Sequence, residues 1–168
     1  MTNNIKLQEV CKQLHIPVVG TTSWPLPIEA REILQESNPC PFTAADIDER
    51  LIGTTDFMPH SAIVCLFPYH VPHEGPTNLS RYTWATDYHL VVTDYLQRLV
   101  DELKTTAPDA SFSSHCDTSP LADRYMAYLA GLGFYGKNKC FINPTWGSYI
   151  VIGTVLTTLE FESHTPMA

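Results

Sequence analysis

The chain has 168 residues, enough for one domain with a core of its own and no need of metal or disulfide staples. At 44% hydrophobic, 11% aromatic and only 17% charged residues, it is too apolar for a disordered chain. Acidic residues outnumber basic ones 18 to 10, and the basic ones are scattered, so this stretch by itself is a poor candidate for gripping a phosphate backbone.

Residues Asn4 to Leu14 place Ile5, Leu7, Val10, Cys11 and Leu14 at helical spacing, and Pro17 closes that helix before the β-like run PVVGTT. Prolines at 25, 27, 39 and 41 bracket a short helix over Ile28 to Glu36, and Thr43 caps another over Ala44 to Leu51. SAIVCLFP, Ser61 to Pro68, is apolar without alternation, as in a strand buried on both faces. The clearest helix runs from Thr86 to Lys104, where Tyr88, Val91, Val92, Tyr95, Leu96, Leu99 and Leu103 form one apolar stripe that Thr86 or Asp87 can cap. Ala110 to Cys116 reads as a strand with Phe112 inward. Ser119-Pro120 then opens a helix that Gly131 ends, and Ser148 to Leu159 is the last strand. The fold class is therefore α/β or α+β, a single layered domain over residues 1–168 with a mixed or antiparallel sheet flanked by helices.

No apolar run approaches the roughly 20 residues of a membrane helix, and MTNNIKLQEV lacks the basic and apolar regions of a signal peptide, so a cytoplasmic protein is expected. The five cysteines are odd in number and widely spaced, as free and mostly buried thiols would be. An iron–sulfur cluster within the chain is not expected.

Two constellations carry possible chemistry. HCDTSP, His115 to Pro120, sets an ionisable trio where a strand meets a helix start; Asp117 is either a structural cap or, in a closed pocket, a proton donor. RYTWATDYH, Arg81 to His89, gathers a guanidinium, rings, a carboxylate and an imidazole that either stack on a flat ligand or anchor a core edge. His70-x-x-His73 with His115 and Cys116 could in principle hold zinc, but nothing in the spacing fixes that geometry, and no metal ligand is assigned. Gly131-x-Gly133-x-x-Gly136 follows a helix instead of opening one, which argues against a Rossmann site. In GLGFYGKNKCFINPTWGSY the glycines let the backbone approach a ligand, and Lys137, Asn138, Asn143 and Ser148 could aim polar groups into the same space; a tight connection before a strand is the alternative.

RYTWATDYH, CDTSPLADR, AGLGFYGKN and INPTWGSYIVIG, in this order, resemble the N-terminal, cobalamin-binding half of the epoxyqueuosine reductase family. The resemblance covers residues 61–159, and residues 1–60 match only loosely. It implies a domain like those of other B12-using reductases, and a role in reducing epoxyqueuosine to queuosine in tRNA. It also implies Asp117 as proton donor; Arg81, Tyr82, Tyr88 and His89 on the substrate side of the corrin; and Gly133, Gly136, Lys137, Asn138, Asn143, Gly147 and Ser148 around the cobalamin ring and tail. The family's iron–sulfur and tRNA-binding regions would follow FESHTPMA, so the chain is expected to be truncated or split before them. Alone it should not complete the reduction. It would need an iron–sulfur partner domain or protein, and would meet a tRNA anticodon loop only when completed. A noncatalytic corrinoid-binding or interaction module that has lost its redox half is the alternative.

Overall fold

Strand β2, Ser61–Pro68, explains its own unbroken apolar run, because both of its faces are covered. Side chains alternate across a strand, so Ile63, Cys65 and Phe67 enter one core cluster while Ala62, Val64 and Leu66 enter the other. The computed structural model describes residues 2–29, 32, 55–72, 74–76, 78–117 and 121–167. On one side β2 pairs antiparallel with β1, Val18–Ser23, from Val18 opposite Leu66 to Ser23 opposite Ser61. On the other it pairs with β6, Ile150–Thr157, which in turn pairs with β3, Phe112–Cys116. The order β1-β2-β6-β3 is antiparallel throughout.

Helices α1, Asn3–Gln13, and α2, Tyr88–Thr106, cover the face that Ile63 and Cys65 present. The stripe read from the sequence is the buried face of α2: Val92, Leu96, Leu99, Val100 and Leu103 are all in the core. The helix begins where it does because Asp87 caps it, its carboxylate accepting the His89 backbone N–H at 2.9 Å. Gly153 of β6 lies beneath: a Cβ there would come within 2.9 Å of Val92 Cγ1 and 3.0 Å of Leu96 Cδ1, so the bare backbone lets α2 settle closely onto the sheet. Cys11 and Cys65 meet as free thiols within this core, and Cys65 is pushed up by the bond to Cys11 and by burial.

The opposite face is covered by α3, Asp123–Leu129, and by a hairpin of β4, Phe134–Tyr135, and β5, Phe141–Ile142. Helix α3 starts later than the sequence suggests, since Leu121 is first drawn into the core; Thr118, Ser119 and Pro120 lie outside the described residues. Gly131 ends it at φ 70, donating to Tyr128 O while Leu132 N–H reaches back to Ala127 O, the paired bonds that satisfy a helix end. The glycine-rich stretch read as a loop is partly this hairpin. Lys139 N–H closes a turn on Gly136 O and Gly136 N–H bonds Cys140 O, with Lys139 itself left-handed at φ 61. The predicted helices over Ile28 to Glu36 and Ala44 to Leu51 lie outside the described residues apart from Ile28, Glu29 and Glu32.

Helix α1 ends with the same bond pattern as α3, but its left-handed position is held by His15, at φ 57. A side chain pays there for a crowded Cβ that glycine lacks. His15→Gly is expected to stabilise the protein by about 1 kcal/mol, read as a higher midpoint in urea unfolding. After β6 the chain turns back along the outer edge of β1. Thr21 Oγ1 donates to Glu162 O at 2.7 Å and Ser23 N–H to Ser163 Oγ at 2.8 Å, so this sheet edge is covered.

Candidate active site

Three segments converge at one end of the sheet: the 3-10 helix Arg81–Trp84, the N-terminus of α2, and the residue that leaves β3. That residue is Asp117, left-handed at φ 59, a conformation that aspartate adopts more readily than most residues. Its Oδ2 accepts the Tyr88 hydroxyl at 2.8 Å and lies 3.0 Å from His89 Nε2. The other ring nitrogen, His89 Nδ1, lies 2.8 Å from Asp87 Oδ1. Tyr88 stacks on His89 with ring centroids 4.0 Å apart, and Tyr82, Tyr69 and Tyr149 extend the aromatic chain by edge contacts of 5.9, 6.3 and 5.8 Å. Arg81 stands behind it, donating to Val71 O at 3.3 Å and lying 3.2 Å from His70 Nε2 and 5.9 Å from the Tyr149 ring centre.

Burial, and then the Asp117 carboxylate, push the Tyr88 phenol up to about 12, so it remains a hydrogen-bond donor at any ordinary pH. The two carboxylates, Asp87 first, raise His89 above the usual imidazole value. Burial pushes the Cys116 thiol up to about 11 and keeps it protonated. His115 is lowered by burial and is bonded to Ser113 Oγ at 2.9 Å. Strand alternation separates the trio read in HCDTSP: Cys116 packs on the α2 side of the sheet, His115 faces the other way, and only Asp117 reaches the open end. Helix α3 begins after Ala122 with no side-chain cap, and among the described residues Asp117 is held by Tyr88 and His89.

A cleft of about 680 Å³ opens beside Asp117. Tyr69, Tyr82, Tyr88, Tyr125 and Tyr135 line it with Leu121, Ala122, Ile150, Val151 and Ile152, and Asp117, Asp123 and Arg124 supply its charges. Of the substrate-side residues named from the sequence, Tyr82 and Tyr88 line this cleft, His89 borders it through Asp117, and Arg81 braces the wall. None of the seven residues named around a cofactor lines it. Gly133 is buried, and a Cβ there would strike Ile142 O. Gly136 opens the hairpin turn, Lys137 and Asn138 stand exposed at its tip, and Asn138 Oδ1 accepts Cys140 N–H at 3.1 Å. Asn143 is buried and occupied, donating to Leu132 O at 2.7 Å and accepting from the Thr145 and Trp146 N–H groups at 3.0 and 3.1 Å. Gly147 takes φ 60 in the turn that follows, and Ser148 is exposed beyond it.

Sequence reasoning missed Asp87 as more than a cap, and it missed Tyr69, Arg124 and Tyr135 as cleft residues. The D-Y-H run, with an acidic cap two positions before an imidazole, was the available signal for Asp87. Among the described residues no group of three His, Cys, Asp or Glu is placed to hold a metal ion; His70 is engaged with Arg81, and His73 lies outside them. Likewise, among them no helix is long and apolar enough to cross a membrane.

The family model described as "Epoxyqueuosine reductase QueG, DUF1730" matches residues 57–118, the span that carries β2, α2 and Asp117. The epoxyqueuosine reductase of Gloeobacter violaceus is 36% identical over 95 residues, which are 56% of this chain and 30% of the relative. The structure of epoxyqueuosine reductase from Streptococcus thermophilus superposes over 100% of this chain and 49% of its own, with a TM-score of 0.83 and 25% identity. This chain is similar to part of the epoxyqueuosine reductases.

An epoxyqueuosine reductase crystallised with an epoxyqueuosine-modified tRNA stem loop aligns at a TM-score of 0.80 and 28% identity over 98% of this chain and 48% of that one. A reductive dehalogenase, described with a mechanism for B12-dependent dehalogenation, shares the fold alone, at a TM-score of 0.58 and 14% identity over 96% of this chain and 20% of that one. The likeness to epoxyqueuosine reductases thus spans about half of the solved chains, 49% and 48%, and 30% of the Gloeobacter relative.

Proposed function

We propose that this chain is the cobalamin-binding and substrate half of an epoxyqueuosine reductase-like oxidoreductase, in which Asp117 is the proton donor. The observation that carries the reading is the Asp117 carboxyl at the mouth of an aromatic cleft, anchored on one oxygen by Tyr88 and His89. The residues present suit a corrin. Ile150, Val151, Ile152 and Leu121 offer an apolar floor, and Tyr125, Tyr135 and Arg124 border it with hydroxyl and guanidinium donors that suit a flat ring fringed with amides. When bound, cobalamin supplies the electron-transfer chemistry at its metal, with electrons from an iron–sulfur module in a further region or a partner protein.

The chain's own residues do the rest. The tyrosine wall stacks on a flat nucleobase and keeps water from the reacting face. Tyr88 O–H and His89 Nε2 hold Asp117 in one orientation, so a proton on its carboxyl is delivered at a fixed point. The substrate proposed is epoxyqueuosine in a tRNA anticodon loop. With a formal net charge of −8, the hold on the tRNA backbone is assigned to other regions or a partner.

Cobalamin added to the purified chain is expected to change its visible absorption and to quench the fluorescence of Trp84 and Trp146, which are 40% and 41% exposed. Absence of binding at micromolar cobalamin would sink the reading.

A further inference from the structure

Asp87 does two things with one oxygen: its Oδ1 accepts the His89 backbone N–H at 2.9 Å and also faces His89 Nδ1 at 2.8 Å. A helix cap needs only the first contact, and serine, threonine or asparagine would provide it as well. The second contact is where a carboxylate differs from those residues. His89 Nε2 meanwhile faces Asp117 Oδ2 at 3.0 Å. Ionised carboxylates only accept hydrogen bonds, so the ring satisfies both contacts at once only with a proton on each nitrogen. Because the cap ties Asp87 to the first turn of α2 and the Tyr88 ring lies stacked on the imidazole, the ring is held between the two acids rather than left to rotate.

We infer that Asp87 is a positioning residue of this site, holding His89 doubly protonated and aimed at Asp117, so that the imidazolium supplies the proton that Asp117 passes to the substrate. The inference rests on the reading of Asp117 as proton donor. One proton is shared between His89 Nε2 and Asp117 Oδ2. The Nε2–H bond breaks as an O–H bond forms on the Asp117 carboxylate, and that O–H bond breaks in turn as the proton passes to the substrate, so one proton leaves His89, one reaches the substrate and Asp117 is again ionised. The neutral imidazole keeps Nδ1–H on Asp87, and its side chain, 46% exposed, takes the next proton from water at Nε2. No electron moves in these steps. The remaining titratable neighbours do not compete: Tyr88 and Cys116 hold their protons, Tyr82 meets the edge of Tyr88, and Asp123 stands across the cleft at the start of α3. The raised affinity of His89 for its proton, with Asp87 its largest cause, agrees with this arrangement.

The test is the titration of the His89 ring, followed by NMR in the full chain with labelled histidine and assigned with His89→Gln. In Asp87→Asn, which keeps a capping oxygen and loses the charge, the titration midpoint is expected to move down toward the ordinary imidazole value with little change in melting temperature. Asp87→Ser, which caps but does not reach Nδ1, is expected to move it the same way and serves as the readout should the asparagine variant fold poorly. An unmoved midpoint in the folded variants overturns the inference. The titration needs no cofactor and no turnover, so its outcome is independent of whether cobalamin binds. With the iron–sulfur half supplied, Asp87→Asn is expected to shift the alkaline limb of the pH–rate profile to lower pH; a uniform drop in rate with an unchanged profile counts against the inference.

Discussion

Asp117→Asn is expected to slow queuosine formation by about 10²–10⁴-fold when the iron–sulfur half is supplied in trans, the range that a positioned general acid contributes. The exchange is nearly isosteric. Asparagine can still accept the Tyr88 hydroxyl bond, so the wall of the cleft stands, but its amide has no proton to give at neutral pH. Cobalamin binding should be retained, because the floor at Ile150 to Ile152 is untouched. The measurement is the initial rate at saturating substrate beside the visible spectrum of the bound cofactor. Equal rates in the two proteins would remove Asp117 from the mechanism, while a parallel loss of cobalamin binding would show that the carboxylate is structural.

Gly153→Val reaches the same site from behind. The new side chain would meet Val92 Cγ1 and Leu96 Cδ1 where even a Cβ comes within about 3 Å, and both belong to the packed core that fixes α2 on the sheet. Overpacking of this kind costs about 1–3 kcal/mol, and here it is relieved most easily by lifting α2. That helix begins with Tyr88 and His89, so the displacement loosens their hold on Asp117. The expected result is a lower urea midpoint together with a His89 titration that drifts toward the free imidazole value. A full loss of stability with an unperturbed His89 would show that core and site are not coupled.

The pH dependence of the site follows from the same contacts. His89 is raised, so the benefit of its charged contacts is complete below the ordinary imidazole value of about 6.5 and is lost as pH rises through its higher folded value. The Tyr88 bond to Asp117 persists well beyond that window, since the phenol keeps its proton until about 12. Tyr88 therefore holds Asp117 in place at pH values where His89 no longer does.

Much of the fold was legible in the residues. The stripe from Tyr88 to Leu103 and the featureless apolar run of β2 each have one economical structural solution, a helix with one buried face and a strand with two. The motifs around Asp117, Tyr82, Tyr88 and His89 were also readable, because they are local strings. The glycine-rich stretch was legible only in part. Its glycines, asparagines and lysines are turn-forming residues, and in the structure Gly133, Gly136, Asn138 and Asn143 spend their special properties on the hairpin and the turn after it. Residue type alone does not distinguish a polar group that binds a ligand from one that satisfies its own backbone.

What the sequence determined by itself was the order of the two long helices and the strands of the main sheet, α1, β1, β2, α2, β3 and β6, and which short runs carry ionisable groups. The tertiary structure decided which of those groups meet. His89 and Asp117 are 28 residues apart in the chain, and they touch because β3 joins the sheet through β6 while α2 lies across the same face. Ile150 to Ile152 became the floor of the cleft through the same pairing. Hydrophobic periodicity states how much of an element is buried, but strand register and close approaches such as that at Gly153 depend on partners distant in sequence, and they place a carboxylate beside an imidazole.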